Sequence, residues 1–143
     1  TFGDTKEGAM GIRVREEIRA GAKTGNGTLT NADGKTGEKE IWGYPSAWVD
    51  NSGTVDGKAA GIAVFDHPKN PYPASWHARG YGLVAANPFG REKSGFPSQK
   101  GKTDLVKLDK GQKLKLRYGI YTHAGNAEAG KVAAAHAAFA AMK

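Results

Sequence analysis

The chain contains no cysteine. Disulfides, thiolate metal centres and cysteine nucleophiles are therefore excluded, and the fold has to rest on its apolar core. No apolar run approaches the roughly 20 residues that a membrane-spanning helix requires, so no membrane partner is expected. Internal repeats and linker-like tracts are missing, which leaves a single domain over residues 1–143. The first residue is Thr1 rather than Met, and an upstream segment is expected. A copper brace built on an N-terminal amine needs histidine at position one, so Thr1 disfavours that arrangement.

Acidic residues are the minority: 21 Lys and Arg face 14 Asp and Glu, a formal net charge of +7. A basic balance admits nucleic acid as a partner. The lysines are nevertheless spread over turns and polar faces (Lys35, Lys58, Lys69, Lys93, Lys110), without the interleaved aromatics of a nucleic-acid groove. No nucleic-acid partner is expected. Residues 95–103, GFPSQKGKT, imitate a phosphate loop only superficially, because the spacing between Gly95 and Gly101 is one residue too long and no helix signal follows.

Glycine is plentiful, 21 residues, and punctuates the chain at short intervals. That pattern suits many short strands joined by turns. Residues 10–14 alternate apolar and polar or small side chains, as a half-buried strand does. Residues 28–30 with the turn at 31–35 read as a hairpin, 47–50 as a short strand and 51–58 as a turn. Residues 59–65, AAGIAVF, are apolar on both faces and predict a central strand covered on two sides; residues 81–86 read the same way. Residues 88–104 form a long loop. Residues 112–123 alternate strictly, with Leu114, Leu116, Tyr118 and Ile120 on the core side and Lys113, Lys115, Arg117, Tyr121 and His123 on the polar side. The Ala-rich tail predicts a helix over about 126–142, with Asn126 as N-cap. Strands dominate and βαβ alternation is absent. The expected fold is an all-β antiparallel β-sandwich, supersandwich or jelly-roll-like, with one C-terminal α-helix.

Chemistry concentrates in residues 66–90. Of four histidines, His136 sits on the apolar stripe of the tail helix and is assigned to packing. His67, His77 and His123 lie at or beyond strand ends, where one rim of a sandwich can gather them. Together they could hold a single divalent metal (Zn, Cu or Fe) as neutral imidazoles, or act as general acid and base near neutral pH. Asp66 and Glu7 are candidate carboxylate partners for catalysis. Trp76 and Trp48 offer faces for the C–H side of a pyranose, and Arg79, Tyr81, Asn87, Asn70 and Asp50 offer groups for its hydroxyls.

At these residues the chain resembles the C-terminal half of a large bacterial family labelled methane oxygenase PmoA. The matching pieces are FGDTKEG at 2–8, IRV at 12–14, WVDNSG at 48–53, GIAVFDHPKNP at 61–71, WHARGYGLVAANPFG at 76–90 and LRYGIYTHAG at 116–125. The resemblance implies a β-sandwich related to the sugar-mutarotase supersandwich and a place among sugar-catabolic genes. It does not imply methane oxidation, since the true monooxygenase subunit is embedded in a membrane. Family members are about twice as long, and their N-terminal half carries a further histidine-rich motif. A homodimer, or that missing half as a partner, is therefore expected to cover open sheet edges. The expected setting is periplasmic or secreted, in a bacterium. The expected function is that of a carbohydrate-active protein, an enzyme transforming a sugar or glycoside at a His-rich site. The alternatives are a non-catalytic sugar-binding or structural module, and a copper- or iron-dependent oxidative enzyme acting on polysaccharide.

Overall fold

The computed structural model describes residues 1–21, 23 and 25–142. Seven strands form two antiparallel sheets. They are β1 (Met10–Arg13), β2 (Thr28–Asn31), β3 (Trp48–Val55), β4 (Lys58–Asp66), β5 (Ser75–Arg79), β6 (Leu83–Asn87) and β7 (Tyr118–Ala124). One sheet has three strands in the order β1-β6-β5, the other four in the order β2-β3-β4-β7. A single helical turn, α1 (Glu38–Ile41), precedes β3, and α2 (Val132–Ala140) closes the chain. The result is the all-β sandwich with a terminal helix that the strand pattern requires.

The side-chain alternation of each strand explains the layering. Leu29, Val49 and Val64 of the larger sheet meet Trp76, Ala78, Val84 and Ala86 of the smaller one, and all are fully buried. Ala63 and Phe65, on the opposite face of β4, pack with Trp48 against Val132 and Phe139 of α2. The double coverage of β4 is the physical reason for its continuous apolar run. β6 is likewise central in its own sheet.

Four expectations need correction. β3 runs on to Val55, so the turn shrinks to Asp56 and Gly57, whose φ angles of 50° and 75° match the two left-handed positions of a tight type I′ hairpin. His77, expected at or beyond a strand end, sits in the middle of β5. Strand β7 begins only at Tyr118, which does pack on the core as expected, but Ile120 on the same face is 58% exposed, and Tyr121, assigned to the polar face, lies against the helix layer. β7 is an edge strand, and α2 covers the face that carries its polar residues. The tail helix is also shorter than expected. Asn126 does cap, through Ala129 N–H to its Oδ1 at 2.9 Å, but it caps a separate turn; Lys131, at φ 52°, breaks the chain before Val132.

Candidate functional site

The three histidines do not converge. His123 sits opposite Gly61 in the β4–β7 register, whereas His67 lies six residues further along, beyond the end of β4, a distance of about 20 Å at strand rise. His77 is on β5, in the other sheet, beside Trp42 and Phe96. Among the described residues no group of three or more His, Cys, Asp or Glu side chains is disposed to hold a metal ion. The shared three-histidine metal centre is therefore withdrawn. Tautomers reinforce this for His67. Its Nδ1 accepts the Lys69 N–H at 3.1 Å, so the proton of a neutral ring occupies Nε2 and no lone pair is left for a metal there.

Several candidate sugar contacts are structural instead. Trp76 is fully buried between the sheets, with its indole N–H donating to the Ser46 carbonyl at 2.8 Å. Its ring cannot stack on a ligand. Asn87 donates to the Thr5 carbonyl and accepts from the Phe89 and Gly90 N–H groups. Asn70 donates to Asp66 and to the Arg117 carbonyl and accepts the Arg117 N–H. Asp66 receives the Asn70 amide at 2.6 Å and the Ala74 N–H at 2.8 Å. These three side chains satisfy loop backbone that the strands leave unpaired. Burial raises the Asp66 carboxyl above its ordinary range despite those bonds.

His77 and Arg79 share the outer face of β5, where His77 feels the charge of Glu7 and Arg79 meets the Tyr81 ring. Arg79 pairs with Glu38 at 3.0 Å and lies over the Tyr81 ring at 5.7 Å. Burial holds the His77 imidazole below its usual value, and the nearby Glu7 opposes that shift. The unfolded ring gains its proton near 6.5 and the folded one only at lower pH. His77 thus contributes stability that is present above 6.5 and lost as pH falls through the folded value. Replacing it with Phe should flatten that part of the pH–stability curve in urea unfolding; an unchanged slope would show that another group titrates there.

Trp48, Asp50 and His123 form the best-built constellation. They share the outer face of the larger sheet. His123 Nε2 is 2.7 Å from Asp50 Oδ1, and the two side chains are only 2% and 0% exposed. Gly61 and Gly130 flank the imidazole so closely that a Cβ on either would collide with it, and Tyr121 stacks on it at 5.6 Å. His123 Nδ1 faces the Ala124 carbonyl at 3.2 Å. A carbonyl only accepts, so Nδ1 carries a hydrogen and one further proton is shared between Nε2 and Asp50. Burial raises the Asp50 carboxyl, and the His123 partner pulls it back.

A groove of about 560 Å³ runs along the same face, lined by neighbours of this pair but by neither of the two residues. One wall is the β2–β3 surface with Thr28, Thr30, Trp48 and Ser52; the other is residues 125–128 and Ala133. Asp50 lies between Trp48 and Ser52 on that face, directly across from Thr30. Asp50 Oδ2 and Thr30 Oγ1 are both buried without a hydrogen-bond partner among the described residues. Sequence reasoning missed Thr28, Thr30 and Ser52; the alternation of threonines in β2 was the only available signal.

A family model described as a family of unknown function (DUF6807) matches residues 1–137. No curated protein and no solved structure matches the chain.

Proposed function

We propose that this chain, which belongs to the family of unknown function DUF6807, binds carbohydrate in the groove over β2 and β3. The observation that carries the reading is the groove itself, whose wall gathers the hydroxyl-bearing Thr28, Thr30, Ser52 and Thr54 beside Trp48. The lining is mostly neutral and rich in hydroxyls, with Glu128 as its one carboxylate. That chemistry suits a polyol better than an ion, and Trp48 adds an apolar edge for sugar C–H groups. The volume lies within the range of small-molecule sites. The resemblance to the family labelled PmoA, with its sugar-mutarotase-like sandwich, supports the same ligand class.

Thr28→Val and Ser52→Ala remove one hydroxyl each with little change of shape. Each should weaken binding of a responsive sugar about tenfold and leave the melting temperature nearly unchanged. Titration of a neutral mono- and oligosaccharide panel, followed by NMR, measures both. If no sugar moves the resonances of β2 and β3, or if Thr28→Val binds as the parent does, the reading fails.

A catalytic version of this function is favoured by one further feature. Asp50 and His123, paired at 2.7 Å on strands next to the groove, are groups able to take up and return a proton.

A further inference from the structure

A second cavity, about 270 Å³, lies against the loop that follows β6 and shares no lining residue with the groove over β2 and β3. Pro45, Pro73 and Pro88 contribute apolar wall, and Arg91, Lys102 and Asp104 supply its charges.

Arg91 is buried, and the cause is local. Prolines and glycines keep the loop out of any sheet, so its carbonyls lack strand partners, and the guanidinium takes three of them. Nε donates to the Asp104 carbonyl at 2.8 Å, and Nη1 donates to the Pro88 and Gly90 carbonyls at 3.2 and 2.7 Å. Those bonds hold the planar fork in one orientation but carry no formal charge to cancel its own. The carboxylate that pairs with it, Asp104, is 3.6 Å from Nε and 82% exposed, so solvent screens much of that attraction. A cation taken out of water is costly unless a partner compensates it. One edge of the fork remains open. Nη2 has no hydrogen-bond partner among the described residues and is not one of the buried unpartnered atoms, so it keeps accessible surface. The Arg91 side chain is 9% exposed and forms part of the cavity wall. Lys102, on the same wall, is exposed and makes no ion pair among the described residues. Two cations and one carboxylate leave this wall with one positive charge in surplus.

We infer that this cavity is a binding site for a small carboxylate, with one oxygen accepting from Arg91 Nη2 and the negative charge drawing in Lys102. A single anionic group cancels the surplus, whereas a phosphate group carries about 1.5–2 negative charges and meets repulsion from Asp104. The volume is just below the range of drug-sized sites, which limits the ligand to a compound no larger than one sugar ring. The inference does not rest on the function proposed for the groove.

The test uses the full chain at constant ionic strength, with the Arg91 guanidinium nitrogens read by NMR. Acetate is the probe, acetamide its neutral isostere and inorganic phosphate the competing oxyanion. Acetate should shift the Arg91 resonances in a saturable way, acetamide should not, and phosphate should bind more weakly. Lys102→Gln removes one cation and should weaken acetate binding about threefold, the scale of an exposed ion pair. Asp104→Asn keeps the backbone carbonyl that Arg91 holds but removes the competing carboxylate, and should strengthen acetate binding about threefold. An arginine that only pins the loop predicts neither change. Both substitutions are at exposed positions, and thermal unfolding checks that each variant is folded; should one fail to fold, the other decides. No saturable response to acetate, an equal response to acetamide, tighter binding of phosphate, or an acetate affinity unchanged in a folded variant would overturn the inference.

Discussion

Trp76→Ala is expected to lose about 3–5 kcal/mol of folding stability, the range for deleting a large buried aromatic. Small domains have about 5–15 kcal/mol in total, so this one change brings the chain close to unfolding at physiological temperature. The cause is position. Trp76 has no exposed surface and packs in the cluster formed by Leu29, Val49, Val64 and Val84. Truncation leaves a cavity between two sheets whose strands cannot collapse without breaking register. It also leaves the Ser46 carbonyl without its donor. Trp76→Phe retains most of the packing and should cost clearly less. Urea unfolding of both variants measures the difference. A loss below about 1 kcal/mol for Trp76→Ala, or protection of Trp76 fluorescence by added sugar, would show the ring to be accessible and reverse its assignment to the core.

Asp50→Ala is expected to cost a similar amount, about 3–5 kcal/mol, because breaking a buried pair strands the remaining partner. His123 would keep its place between Gly61 and Gly130 with Nε2 left without a partner. The double replacement Asp50→Leu with His123→Phe removes both polar groups and should cost less than the two single changes added together, a coupling that a double-mutant cycle measures. The pH dependence has a defined sign. An unfolded aspartate releases its proton near 3.8, and folded Asp50 releases it later because burial raises it. Between those two points the folded state holds more protons, so this carboxyl's contribution is complete below 3.8 and is lost as pH rises through the folded value. Asp50→Asn should shallow that decline without abolishing it, since Asp66 is raised in the same direction. The same variant separates binding from proton transfer. If a sugar is turned over, Asp50→Asn should keep affinity and lose turnover; unchanged turnover assigns the Asp50–His123 pair to structure alone.

Asp66, Asn70 and Asn87 show why a motif rich in polar residues is hard to assign from its letters. Each stands beside a proline-containing loop, where backbone groups lack strand partners, and each side chain supplies those partners. Asp4 does the same at longer range, accepting N–H groups from Arg91, Lys93 and Ser94. A ligand-binding amide and a loop-closing amide look identical in sequence, because the distinction lies in which backbone atoms arrive from distant residues. His136 carries the same lesson in the opposite direction. Its apolar stripe was legible, and it does pack edge-on against Phe65 at 5.4 Å, but the same ring also reaches the Asp66 carbonyl and the cavity beside it.

The sequence by itself determined the class of fold. The alternation in β1, the doubly apolar run of β4, the glycine punctuation and the Ala-rich tail follow from strand and helix periodicities, which are local properties. The hydroxyls of β2 and the Asp50–His123 pair were decided by tertiary structure. Asp50 and His123 are 73 positions apart, and they meet only because β4 lies between β3 and β7 and exposes glycine at position 61. Periodicity assigns a side chain to one of two faces. Which face is covered, and by what, depends on the order of strands in a sheet and on where a helix comes to rest. For that reason β7 has its polar face covered by α2 and its Ile120 exposed.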